Sequence, residues 1–159
     1  MNEHEPTPPQ DLPAFHATVR QDMRRWLERA VIGLNLCPFA KAVHVKGQIH
    51  YAVSSARDPQ ALLADLEFEL KDLVAQDPQA RDTTLLIAPH GLQRFADFND
   101  FLAEADAALL RLELEGIVQI ASFHPHYQFA GTDADDITNF TNRAPYPTLH
   151  LLREDSVDR

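Results

Sequence analysis

Hydrophobic positions along this chain fall into blocks with different spacings. From Phe15 the apolar residues Phe15, Val19, Met23, Trp26, Leu27, Ile32 and Leu34 recur at steps near three and four, which predicts an amphipathic helix ending near Gly33, ahead of Cys37-Pro38. Residues 43–53 are rich in β-branched and aromatic side chains with partial alternation, and predict a strand bent near Gly47. Asp58 and Pro59 supply the N-cap and first position of a second helix. Its apolar face holds Leu62, Leu63, Leu66, Leu70, Leu73 and Val74, and Asp77-Pro78 closes it. The apolar run 83–88 predicts a buried strand. A third helix places Phe95, Phe98, Leu102, Ala105, Leu109 and Leu112 on one face, with Gly116 as the expected left-handed C-cap residue. A strand over 117–123 follows.

Helices alternating with strands are the mark of α/β connection, because a crossover helix lets successive strands run parallel. The expected fold is a single two- or three-layer α/β domain over residues 14–159, with a small, mostly parallel sheet and crossover helices. A ferredoxin-like α+β arrangement of the same elements is the alternative. Residues 1–13 carry Pro6, Pro8, Pro9 and Pro13 among polar residues and read as a flexible tail. With parallel strands, the chain ends after Ala88 and Phe123 share one edge. That edge is where open α/β sheets place ligands, and it collects His90, Gly91, His124 and His126.

Composition narrows the classes. The 159 residues suit one hydrophobic core, and 45% hydrophobic residues without a run long enough to span a bilayer argue against a membrane protein. A net charge of -10, from 24 acidic and 14 basic residues, repels nucleic acid and anionic lipid. The first residues lack the basic and apolar segments of a secretory signal. Cys37 is the single cysteine, so no intrachain disulfide forms and a reducing cytoplasm is expected. Nothing in the pattern fixes the oligomeric state.

Chemistry concentrates in residues 122–154. His124 and His126 leave a strand two positions apart, a spacing that turns both imidazoles to one side. Pro147 opens an expected short helix in which His150 and Glu154 stand at i, i+4, as in helical zinc motifs. Three histidines with a carboxylate, from Glu154 or from Asp133, Asp135 and Asp136, satisfy zinc or ferrous iron. The plainer reading makes His124 and His126 loop residues, and His150 with Glu154 a surface pair. Arg143, in a turn-like stretch with Asn139 and Asn142, either holds a substrate carboxylate or phosphate or ties the loop to Asp135 or Asp136.

Cys37 stands before a proline that opens a new helical turn, where a thiol can ionise and act as a nucleophile with His124, His126 or His150 as its base. Flanked by Leu36, Pro38 and Phe39, it equally reads as a buried small hydrophobe. There is no Cys-x-x-Cys, and neither GxGxxG nor GxxxxGK[ST] occurs, so neither a dithiol nor a nucleotide cofactor has a motif. The leading expectation is a small cytoplasmic enzyme of hydrolase or oxygenase type. A metal held by His124, His126, His150 and Glu154 acts in it on a small anionic substrate oriented by Arg143. The alternatives are a metal-free enzyme using Cys37 and a histidine base, and a non-catalytic binding module.

Three stretches carry a resemblance: WLERAVIGLNLCPFAKAV at 26–43, HPHYQFAG at 124–131, and TNRAPYPTLHLLRE at 141–154. In these, and in the length and pattern of the helices between, the chain resembles a bacterial family known as domain of unknown function 1415. The likeness spans nearly everything after residue 15. It implies no activity, but its motifs coincide with the Cys37 and His124–Glu154 regions.

Overall fold

Residues 11–32 and 47–154 are described by the computed structural model. Helix α1 (Asp11–Trp26) runs into a π-helical turn, Leu27–Ile32. It begins inside the segment expected to be a tail, with Pro13 in its first turn, where a missing N–H leaves no hydrogen bond broken. Strand β1 (Ile49–Val53) is the described part of the strand expected over 43–53; residues 43–46 lie outside the described residues. Helix α2 (Pro59–Ala75) starts on Asp58, whose Oδ1 accepts from the Ala61 N–H at 2.8 Å. Strand β2 (Thr83–Ile87), helix α3 (Phe95–Arg111) and strand β3 (Val118–Phe123) follow. Helix α3 stops at Arg111, so Gly116, at φ +82°, serves the turn into β3 rather than the helix cap. A 3₁₀ turn, Ile137–Asn142, precedes the last strand, β4 (Thr148–Arg153).

The short helix expected from Pro147 is therefore a strand. Leu149 and Leu151 are buried on one sheet face while His150 and Leu152 take the other, a period of two. A proline just before a strand removes no ladder hydrogen bond, and the Pro147 carbonyl accepts from Ala88 N at 2.8 Å.

This strand changes the sheet. The order is β1-β2-β4-β3, with β1 and β2 parallel and β4 antiparallel to both of its neighbours. The sheet is mixed, not mostly parallel: α2 makes one parallel crossover, α3 carries β3 one place too far to pair with β2, and β4 returns to fill the gap. Because β2 and β3 are both antiparallel to β4, they still run the same way. Their carboxyl ends share one edge.

Helices cover both faces. Ala52, Leu86, Val118, Leu149 and Leu151 pack on Leu62, Leu66 and Leu70 of α2 and on Phe98 and Phe101 of α3. The opposite face, with Tyr51, Leu85 and Ile87, packs on Val19 and Met23 of α1. Each of these larger side chains contributes about 1.5–3 kcal/mol by leaving water. The hydroxyl of Tyr146, just before β4, donates to Asp22 of α1 at 2.7 Å and fastens that helix to the sheet. Burial and the Asp22 carboxylate push the Tyr146 phenol up to about 12. Among the described residues no helix is long and apolar enough to cross a membrane.

Candidate functional site

The sequence-predicted metal set does not assemble. His124 follows β3 directly and is fully buried, its ring centroid 5.4 Å from that of Phe95 and 5.0 Å from that of Phe98. Its Nε2 lies 2.9 Å from the Leu92 carbonyl oxygen, and its Nδ1 accepts from the His126 N–H at 3.0 Å. Both ring nitrogens are committed to backbone, leaving no lone pair for a metal. Burial holds the imidazole pKa below its ordinary value. His126 is exposed. The rings of His124 and His126 do come close, with centroids 5.9 Å apart, but through a turn rather than by strand alternation, since β3 ends at Phe123 and the Tyr127 N–H donates to the His124 carbonyl.

His150 projects from β4 on the opposite sheet face from His124, between Leu85 and Ala121 in register and beside Phe123. Burial lowers its pKa to about 4, and no described residue hydrogen-bonds its ring. Glu154 lies just past β4 at the far end of the sheet, where its backbone N–H donates to the Ile117 carbonyl and its Oε2 accepts from Gln119 Nε2 at 2.9 Å. His124 and Glu154 thus stand at opposite ends of β3, roughly 20 Å apart at 3.3 Å per residue. Among the described residues no group of three or more His, Cys, Asp or Glu side chains is placed to hold a metal ion. Cys37 lies outside the described residues.

The polar segment between β3 and β4 is braced by its own side chains. Arg143 donates from Nε to the Tyr127 carbonyl at 3.0 Å and from Nη2 to the Ala134 carbonyl. Asn139, fully buried, accepts from the Phe129 N–H and donates to the Asp133 carbonyl. Asn142 donates to the Ser122 carbonyl, and its own carbonyl accepts from the His124 N–H. Through the Tyr127 and Ala134 carbonyls Arg143 ties the loop together.

A different pair of histidines does meet. His16 of α1 and His90, in the turn after β2, approach Nε2 to Nε2 at 3.0 Å. His16 is 8% exposed, and the Phe15 ring lies 5.4 Å from that of His90. Burial lowers the pKa of His16, with His90 and Arg20 adding to it; burial and then Arg57 lower that of His90. Both imidazoles are neutral at neutral pH, so one Nε2–H donates to the lone pair of the other. Arg20 spends its Nε on the Tyr51 carbonyl at 3.2 Å, and no described residue accepts from the Arg57 guanidinium. The turn is brought in by Gly91, where a Cβ would stand 3.1 Å from the Arg57 carbonyl oxygen and 3.2 Å from that of Ala56. Only glycine lets the loops after β1 and β2 close this far.

The site therefore sits at the carboxyl ends of the parallel pair β1 and β2. His90 was visible as a strand-to-loop residue. His16 was not, because it is 74 positions away on a helix read only for its apolar face.

No curated protein and no solved structure matches the chain. Residues 18–159 match the family model described as Protein of unknown function (DUF1415), and the chain belongs to that family.

Proposed function

We propose that this chain is an enzyme that binds a small anionic molecule at the carboxyl ends of β1 and β2 and moves a proton through the His16–His90 pair. The carrying observation is the 3.0 Å Nε2–Nε2 contact with two guanidinium groups, Arg20 and Arg57, close enough to depress the histidines. A bound carboxylate or phosphate offsets those positive charges, raises both imidazole pKa values, and lets the pair take up one proton as a general acid. The compartment that goes with this reading is the reducing cytoplasm expected from a single cysteine.

Histidine side-chain NMR during titration with inorganic phosphate or acetate tests it. The expected result is an upward pKa shift at His16 and His90 that disappears in Arg57→Ala. Unmoved histidines at millimolar anion overturn the proposal, and stoichiometric Zn²⁺ bound by the pair moves the reading from proton transfer to metal chemistry.

A second reading keeps Cys37 as a nucleophile with His150 as base. It is favoured by the His150 ring, which is neutral and lacks a hydrogen bond among the described residues. Iodoacetamide alkylation that is fast near neutral pH and slowed by His150→Gln supports it; an inert thiol removes it.

A further inference from the structure

A second polar cluster lies between edge strand β1 and helix α2, in a cleft of about 340 Å³ whose walls include Ala52, Ser54, Ser55, Asp65, Phe68 and Glu69. That volume is at the small end of the range for ligand sites. Asp65 and Glu69 are one helical turn apart on α2 and share a face. Asp65 is held in place: the Ser54 hydroxyl donates to its Oδ2 at 2.5 Å and accepts from the Ala56 N–H at 3.0 Å.

Glu69 is not. Its side chain is 13% exposed, and its Oε1 is buried without a hydrogen bond. The imidazole of His50 is 3.7 Å away, beyond hydrogen-bonding distance, and burial keeps it below its ordinary pKa. Burial pushes the Glu69 carboxyl above the usual carboxylate range. The Asp72 and Asp65 carboxylates push it the same way, against the pull of Arg81. That arginine is already paired with Asp72. From the sheet side comes fully buried Thr84, register partner of His50 and on the same face as Leu86 of the cleft wall. Its Oγ1 also has no partner, although Thr84 does not itself line the cleft.

We propose that this cleft binds a small organic cation, a primary ammonium on a short hydrocarbon chain. An ammonium brings three donors, and the cleft offers acceptors to match: the orphan Glu69 oxygen, the Asp65 carboxylate and a serine hydroxyl. Phe68, 64% exposed on the rim, gives the hydrocarbon and the charge an aromatic wall. A metal ion is the poorer occupant, because no three carboxylate or imidazole groups among the described residues converge on a point. The site is separate from the histidine pair and does not depend on it.

Calorimetry of the full chain with 1,4-diaminobutane and butylamine tests the proposal, with 1,4-butanediol, guanidinium and Mg²⁺ as controls. Saturable one-to-one binding of the amines is expected, about tenfold or more weaker in Glu69→Gln, the loss of one charge-assisted hydrogen bond. Binding tightens as pH rises through the raised titration of Glu69, because the ionised carboxylate is the form that binds. Glu69→Gln removes a buried charge and keeps the fold, which circular dichroism and a melt verify. Phe68→Ala, on the surface, gives a second and smaller loss without risk to folding. Silence with both amines at millimolar concentration, binding unchanged in Glu69→Gln, or a preference for butanediol, guanidinium or Mg²⁺ overturns it.

Discussion

His150 sits on a central strand with its pKa lowered to about 4, while an unfolded histidine titrates near 6.5. Between those values the unfolded chain binds more protons than the folded one, so stability rises with pH through the window. The contribution is complete above about pH 6.5 and is lost as pH falls toward 4. A 2.5-unit gap corresponds to on the order of 3 kcal/mol. His16, His50, His90 and His124, all lowered mainly by burial, act with the same sign, and Glu69, whose carboxyl is raised, acts with the opposite one. Urea unfolding at pH 7 and pH 5 should show the folded state weaker at pH 5, with the difference reduced in His150→Leu. Equal stability at the two pH values in the wild-type chain contradicts the burial argument.

Among the elements, β4 carries the most consequence and was the least legible. Helices α2 and α3 and strands β2 and β3 were readable because their apolar faces repeat over enough residues to separate a period near 3.6 from a period of two. β4 is six residues long and follows a proline, so Pro147 matched a helix start and His150 with Glu154 matched a helical pair. The signal that was present lay in the pair Leu149 and Leu151, whose alternation only the two packed neighbours make decisive. The mixed sheet, and the separation of His150 and Glu154 from His124, both follow from that one element. β4 also secures α2: from its last residue, Arg153 Nη2 donates to the carbonyls of Leu73, Gln76 and Arg81, the first two at the helix's C-terminal end. Arg153→Ala should cost about 1–3 kcal/mol, and Arg153→Lys should recover little, since a point ammonium cannot reproduce a planar fork. Chemical denaturation with amide exchange protection in residues 70–75 distinguishes this from a general loss.

For the whole molecule, the strand order makes the C-terminal segment the keystone of the sheet. β2 and β3 each pair with β4 and not with each other. A chain ending at Tyr146 leaves β3 without a partner and β2 with β1 alone, and the α2–α3 layer loses the floor formed by Leu149 and Leu151. Such a truncation should lose its cooperative thermal transition by circular dichroism, whereas a surviving sharp melt would show that the first three strands stand without the last.

The self-bracing of the stretch between β3 and β4 also bears on how genetic data on this chain are to be interpreted. His124, Asn139, Asn142 and Arg143 direct their polar atoms at main-chain groups. In a mutational scan scored by cell growth, these positions would register as intolerant whatever the chemistry, and would imitate an active site. Abundance measured alongside growth tells the two apart: variants here should deplete protein, while variants at Arg57 or Glu69 should spare it.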